Sequence, residues 1–149
     1  MIPNAKKNHS LYSVDECISD KLASLIEPFT VGCRAARRGM IPCENNKYVA
    51  GQNAVVFGCG TIGIAAAVGF QYFGMSKVML CDCSDFRLKL AKKLGFAVCN
   101  PSTEDFAEKA KEYFGMAHSL SGETADIDCW LDAAGAESIL NDLLHMTYA

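Results

Sequence analysis

The chain has 149 residues, of which 50% are hydrophobic and 21% are charged, a composition typical of one globular domain with its own core. Its formal net charge is −3, so no basic excess is available to hold a phosphate backbone, and nucleic acid is not an expected partner. The longest apolar run, 62–70, is too short to span a bilayer, so no membrane partner is expected either.

The sequence of residues 1–48 predicts a leading segment followed by a helical region. Residues 1–19 show weak periodicity and are expected to be extended or loop-like. Apolar residues then recur at helical spacing between Asp20 and Met40, and Pro28 should kink or restart this helix because proline removes a backbone donor. We therefore divide the chain into a segment 1–19, a linker helix region 20–48 and a main domain 49–149.

From residue 53 onward, short apolar strands alternate with helical patterns. The predicted elements are a strand at 53–58, a helix at 61–73, a strand at 77–82, a helix at 85–94, a strand at 96–100, a helix led by the capping-box pattern Ser102–Asp105, a polar loop at 115–124, a strand at 126–132 and a helix at 136–146. This alternation predicts right-handed βαβ units. The fold class is therefore α/β, a truncated Rossmann-type doubly wound parallel sheet of order 3-2-1-4 with helices on both faces.

The eight cysteines do not suggest a disulfide framework. Several of them fall inside predicted strands or in a glycine-rich turn, where cysteine behaves as a small hydrophobic residue. The opening residues are polar and include Lys6 and Lys7, so they do not form a signal peptide. A reduced, cytoplasmic location is expected.

The turn between the first strand and its helix reads Gly58-Cys59-Gly60-Thr61-Ile62-Gly63, with the spacing G-x-G-x-x-G. In such a turn the first glycine permits the sharp bend, the second lets backbone approach a pyrophosphate, and the third lets the helix pack close to the sheet. The helix then directs its N-terminal amides at the phosphates. The alternative interpretation is a tight strand–helix turn without a ligand.

An acidic residue strengthens the nucleotide interpretation. Asp82 closes the second predicted strand nineteen residues after Gly63, where a carboxylate accepts hydrogen bonds from the adenosine ribose hydroxyls. It would repel a 2′-phosphate, so NAD is favoured over NADP. Arg87 either flanks the adenosine or is a solvated helix residue, and Asp82 itself could be only a turn former. Methyltransferases that use S-adenosylmethionine share such a turn, but they usually carry an acid where Phe57 stands.

With these residues in place, the chain resembles the medium-chain dehydrogenase/reductase superfamily, and within it the zinc-dependent polyol, threonine and butanediol dehydrogenases. The resemblance covers roughly residues 11–140. It rests on Glu27-Pro28-x-x-Val31-Gly32, on the glycine turn, on 80–95 (LCDCSDFRLKLAKKLG) and on 128–135 (DCWLDAAG).

The resemblance implies hydride transfer between a secondary alcohol or polyol and NAD, with a catalytic zinc in the full-length parent that polarises the alcohol. It places Glu27 beside that zinc, as a ligand or as a partner of its bound water, and Val31 beside the cofactor. For Glu27 the alternative is a plain polar helix residue before a proline.

The chain departs from the family pattern at both ends. The family's Cys and His-Glu zinc ligands come from a domain with no counterpart before Leu11, and two of the usual six strands are missing after the fourth. No catalytic residue is therefore assigned. We expect the cofactor domain of a longer, homo-oligomeric enzyme, inactive by itself and prone to pair through its edge strand. The alternative is a non-catalytic module that senses NAD or AMP.

Overall fold

A computed structural model of the chain describes residues 3–42, 48–119, 122–137 and 139. The helices are α1 (Asp20–Ala23), α2 (Ile26–Gly39), α3 (Thr61–Phe73), α4 (Asp85–Lys93) and α5 (Phe106–Phe114). The strands are β1 (Asn53–Phe57), β2 (Lys77–Cys81), β3 (Ala97–Cys99), β4 (Met116–Ser119), β5 (Gly122–Ala125) and β6 (Cys129–Asp132).

Four of the strands form one parallel sheet in the order β3-β2-β1-β6. Val55 in the middle of β1 faces Met79 of β2 on one side and Trp130 of β6 on the other. The predicted order 3-2-1-4 is confirmed, with β6 as the fourth strand of this sheet. All the carboxyl ends therefore lie along one edge, which is where open α/β sheets bind ligands.

The sheet is buried on both faces because helices cover both. All five residues of β1 are buried, and successive side chains point to opposite faces. Val56 packs on one face with Phe70 of α3 and Leu88 of α4. Val55 packs on the other face with Phe106 of α5. The resulting core has two layers, one on each side of the sheet.

Helix α2 packs directly on α3 through small residues. A Cβ built at Gly32 would lie 2.6 Å from Ala65 Cβ, and one at Gly69 would lie 3.1 Å from Cys33 Cα. Contacts this short mean that the two backbones approach as closely as glycine permits.

The predicted bounds of α3 are confirmed, because the helix runs from Thr61 to Phe73 and ends at Gly74 in the left-handed region with φ +103°. Helix α5 is capped by Asp105, whose carboxylate accepts the amide of Glu108 at 3.1 Å. Ser84 occupies the N-cap position of α4, but its side chain makes no capping hydrogen bond.

The helical region predicted for 20–40 and its predicted restart near Pro28 are confirmed. The structure has a four-residue α1 ending at Ala23, whose N-cap is Ser19, and a separate α2 that begins at Ile26. Pro28 explains the restart, because a residue without an N–H is tolerated in the first turn of a helix and disrupts its interior.

The polar loop predicted at 115–124 is wrong. Strands β4 and β5 pair there as an antiparallel hairpin, with Met116 opposite Ala125 and His118 opposite Glu123. These strands have four residues each and lack an apolar run, so hydropathy gave no strand signal.

The strand predicted at 126–132 begins only at Cys129. Upstream of it, Asp128 Oδ2 accepts the Asn53 amide at 2.7 Å, and the carbonyl of Asp126 accepts the Asn53 side-chain amide at 2.8 Å. These contacts tie the incoming chain to the start of β1 before the ladder forms. Most of the helix predicted at 136–146 lies outside the described residues. Within the described chain, no helix is long and apolar enough to cross a bilayer.

Candidate functional site

The glycine turn is held together by contacts that leave no room for side chains at two of its glycines. Gly58 has φ +99°, and a Cβ there would lie 2.9 Å from the amide nitrogen of Ala134. A Cβ at Gly63 would lie only 1.8 Å from the carbonyl oxygen of Gly58. The Gly58 amide donates to the carbonyl of Cys81 at 2.7 Å. The turn is therefore pinned between β2 and the segment that follows β6.

Gly60 differs from these two glycines because its surroundings are open. It is the N-cap of α3 with ordinary extended backbone, φ −74° and ψ −178°, and a Cβ built on it meets nothing within 4 Å. No side chain caps α3, whereas Ser19 caps α1 and Asp105 caps α5. The first amides of a helix have no partner within it, so the start of α3 is an open cradle of donors at a positive helix end.

Thr61, Ile62 and Gly63 provide the first-turn amides of this cradle. Thr61 and Ile62 are exposed, and Ile62 keeps 41% of its surface in solvent. Gly63 is buried against β1. The turn thus combines a solvent-facing side with a tightly packed base.

Asp82 connects the end of β2 to the glycine turn. Its Oδ2 accepts the amide of Cys59 at 2.8 Å, and its Oδ1 accepts the amide of Ser84 at 2.8 Å. The side chain is only 9% exposed. Arg87 lies beside it, with a guanidinium nitrogen 3.6 Å from Oδ2, and the Arg87 side chain is 58% exposed. Asp82 therefore braces the turn, while more than half of the Arg87 side chain lies in solvent.

The Cys59 side chain points away from the open side of the turn. It packs in the core beside Val56 and is 3% exposed. Burial, reinforced by the nearby Asp82 charge, raises the pKa of the thiol to about 12. A thiol that stays protonated at neutral pH is not a nucleophile. Cys59 thus contributes its backbone amide to the site and its side chain to the core.

These groups border an open cleft of about 480 Å³ at the carboxyl edge of the sheet. Its lining comes from the ends of all four parallel strands and comprises Phe57, Gly58, Gly60, Cys81, Asp82, Cys83, Arg87, Pro101, Ser102, Ala133, Ala134, Ala136 and Ile139. The cleft brings together four of the residues predicted to bind a cofactor, namely Gly58, Gly60, Asp82 and Arg87.

Two predicted residues lie elsewhere. Val31 is on α2, is 42% exposed and is not among the described residues that line the cleft. Glu27 is exposed in the first turn of α2. No group of three His, Cys, Asp or Glu side chains suited to a metal occurs in the described ranges. One exposed carboxylate does not hold zinc, so the described residues do not form a zinc site.

Sequence reasoning missed the walls of the cleft that follow β3 and β6. Pro101 and Ser102 follow β3, and Ala133, Ala134 and Ala136 follow β6. These residues carry no distinctive chemistry. The available signal was positional, because residues just after the carboxyl ends of parallel strands meet at one edge of the sheet.

Comparison with known proteins then places this site in context. The chain is 28% identical over 135 residues to L-threonine 3-dehydrogenase of Pseudoalteromonas translucida (strain TAC 125), an alignment that covers 90% of this chain and 35% of that protein. It is 26% identical to an alcohol dehydrogenase from E. coli CFT073 solved in complex with NADH, with a TM-score of 0.65 over 91% of this chain and 36% of the other. The chain is therefore similar in sequence, over most of its length, to threonine and alcohol dehydrogenases.

The relationship to these dehydrogenases extends to the fold. A zinc dependent alcohol dehydrogenase from Streptococcus pneumonia superposes with a TM-score of 0.69 at 19% identity, over 91% of this chain and 35% of the other. No family model matches the chain. The chain spans about a third of the length of the dehydrogenases it matches. The resemblance inferred from the sequence is confirmed.

Proposed function

We propose that this chain is the NAD-binding part of an alcohol or polyol dehydrogenase, with the cofactor diphosphate at the start of α3 and a ribose on Asp82. The relationship to threonine and alcohol dehydrogenases supports the reaction class. The site itself supports the ligand class, because its geometry suits a dinucleotide better than a small substrate.

The observation that carries the proposal is the open space beside Gly60. The structure excludes a Cβ at Gly63, and Gly58 needs its left-handed backbone, so packing alone explains both glycines. Packing does not explain Gly60, since an alanine would fit there. A bound diphosphate explains it, because phosphate oxygens must come within hydrogen-bond distance of the uncapped amides.

Asp82 retains acceptor capacity for a ribose. An ionised carboxylate offers about four lone-pair positions, and two of them are occupied by the amides of Cys59 and Ser84. The remaining positions suit the two ribose hydroxyls. A 2′-phosphate would place a second anion against this carboxylate, so NAD is preferred over NADP, and the single guanidinium of Arg87 reduces that preference without reversing it.

When bound, NAD would supply the nicotinamide ring that accepts a hydride from the carbinol carbon of a secondary alcohol or polyol. The residues of this chain bind the diphosphate, orient the ribose and keep the glycine turn rigid. The described residues provide no group of three side chains suited to a metal, so we propose that most ligands of a catalytic zinc come from another part of a longer enzyme. We propose a homo-oligomeric cytoplasmic parent, acting on a small alcohol or polyol.

Thermal denaturation of the chain with NAD, NADP, AMP and S-adenosylmethionine tests this proposal. Ligand binding to the native state stabilises it by RT ln(1 + [L]/Kd). NAD should raise the Tm most, NADP and AMP less, and S-adenosylmethionine not at all. A shift with S-adenosylmethionine alone would refute the dehydrogenase assignment.

The substitution Gly60→Ala isolates the diphosphate contact. The protein should fold with an unchanged Tm because the new Cβ has room. The Kd for NAD should rise by about tenfold or more, which corresponds to ~1.4 kcal/mol of binding free energy. Gln71→Ala, an exposed position at the far end of the same helix, is the matched control and should leave the Kd unchanged.

A further inference from the structure

The cleft has a second wall that the proposed ribose contact does not use. Strand β1 is the centre of the sheet, with β2 and Asp82 on one side of it and β6 on the other. Ala133 and Ala134 follow β6 and line this opposite side. A dinucleotide whose diphosphate lies over the turn after β1 must place its two nucleosides on opposite sides of that strand. The segment after β6 therefore faces the second nucleoside.

This segment is shaped by one carboxylate. Asp132 is the last residue of β6, and its Oδ1 accepts the amide of Ala134 at 2.8 Å and the amide of Gly135 at 2.9 Å. Gly135 adopts the left-handed region with φ +68°. The side chain of Asp132 thus folds the chain back on itself directly after the strand.

The folded segment presses on the glycine turn. The amide of Ala133 donates to the carbonyl of Phe57 at 2.8 Å, which extends the β1–β6 ladder to the start of that turn. A Cβ at Gly58 would lie 2.9 Å from the Ala134 nitrogen, and one at Gly63 would lie 3.5 Å from the Ala133 Cβ. The segment after β6 therefore lies directly against the glycine turn, and its outer side forms the second wall of the cleft.

We propose that Asp132 is a positioning residue for the cofactor, which fixes the turn 133–135 as the wall for the second nucleoside. This inference rests on the proposed function. Asp132 acts through the backbone that it holds and not by touching the ligand. Both amides that donate hydrogen bonds to its carboxylate belong to that turn. The role requires an acceptor oxygen and not a negative charge.

Two ligands measured on three proteins test the proposal. The Kd values for NAD and for AMP are measured by calorimetry on the wild-type chain, on Asp132→Ala and on Asp132→Asn. AMP reports the Asp82 side and the glycine turn, whereas NAD also reports the second wall. Asparagine retains the Oδ1 acceptor without the charge, so it serves as the conservative variant.

In Asp132→Ala the Kd for NAD should rise about tenfold, the loss expected for two hydrogen bonds that order a binding wall. The Kd for AMP should change less than about twofold, and Asp132→Asn should restore NAD binding to within about threefold of wild type. Equal losses for NAD and AMP would show a merely structural role and would overturn the inference. A wild-type chain that binds no NAD would instead refute the proposed function, together with this inference.

Hydrogen exchange provides a second measurement that does not depend on ligand. If the negative charge of Asp132 holds the amides of Ala134 and Gly135, they should exchange at least about tenfold faster in Asp132→Asn than in wild type. If an acceptor oxygen is sufficient, they should exchange at nearly the wild-type rate. The inference predicts the second result. If Asp132→Ala does not fold, fast exchange of these amides in Asp132→Asn with unchanged NAD binding would overturn it.

Discussion

Two regions of the described chain differ in how far their apolar side chains are buried. In the sheet region 53–99, Val55 and Phe70 have no exposed surface, and every residue of β1 is buried. In the segment 11–31, Leu22 is 58% exposed and Phe29 is 45% exposed. Helix α1 buries none of its residues, and α2 buries only Gly32 and Ala36.

This contrast shows where the free energy of folding arises. Apolar side chains stabilise a fold in proportion to the area they remove from water, so the sheet and the α2–α3 contact carry the stability. The segment 11–31 contributes little, because many of its apolar side chains remain exposed. The following changes test this division, from the largest expected effect to the smallest.

The substitution Gly63→Ala should abolish folding. The new Cβ would lie 1.8 Å from the carbonyl oxygen of Gly58, a backbone atom that cannot move away without distorting the turn at the end of β1. The expected destabilisation exceeds about 4 kcal/mol. Far-UV circular dichroism and a thermal melt measure it, with Gly60→Ala as the matched control that should melt like wild type. A cooperative melt for Gly63→Ala would contradict the packing described here.

The pair Phe70→Ala and Phe29→Ala compares the two regions with one chemical change. Phe70 is fully buried, so its truncation should lower the free energy of unfolding by about 3–5 kcal/mol. Phe29 is 45% exposed, and its truncation should cost less than about 1 kcal/mol. Urea denaturation measures both. Similar losses for the two variants would erase the distinction between the regions.

Alkaline pH should destabilise the sheet region through its buried thiols. Burial raises the pKa of Cys59 to about 12 and that of Cys129 to about 11. Because the unfolded thiols ionise near pH 8.5, the native state binds more protons above that pH. The free energy of unfolding is therefore highest below about pH 8.5 and should fall by about 1.4 kcal/mol per pH unit for each thiol between about pH 9 and pH 11.

Cys59→Ala separates this effect from general alkaline unfolding. Between pH 8 and pH 10.5, the free energy of unfolding of this variant, measured by urea denaturation, should fall less steeply with pH than that of wild type. The difference in slope should equal the contribution of one thiol. An unchanged slope would show that Cys59 ionises as easily in the native state as in the unfolded chain.

Removal of residues 1–18 should have the smallest effect on stability. The segment exposes Leu11, Tyr12 and Val14, and Ser19 remains to cap α1. The Tm should change by no more than about 3 °C. Binding of the dye ANS should fall because exposed apolar surface is removed. A large drop in Tm would show that this segment belongs to the folding unit.

The sequence predicted most of the sheet because its signals are local. A buried central strand needs a continuous apolar run, and β1 has one, while Gly74 and Gly95 end helices through left-handed backbone that other residues rarely adopt. The β4–β5 hairpin was missed because its stability depends on pairing and on contact with α5, and not on an apolar pattern.

The sequence likewise predicted the part of the candidate site that depends on local signals. The glycine spacing and Asp82 can be recognised in the sequence because their positions relative to the strands are fixed, and two of the three glycines also answer a steric demand of the turn. The hydrogen bonds from Cys59 to Asp82 and from the turn 133–135 to Asp132 join residues whose proximity depends on the assembled sheet. The roles of Val31 and Glu27 remain predictions from family resemblance, because neither residue belongs to the cleft described here.

The most direct test of the central claim is a crystal structure of the chain grown with NAD. The account predicts diphosphate oxygens within hydrogen-bond distance of the amides that follow Gly60, and adenosine ribose hydroxyls on the carboxylate of Asp82. A cofactor bound away from the start of α3, or a ribose that does not touch Asp82, would contradict it.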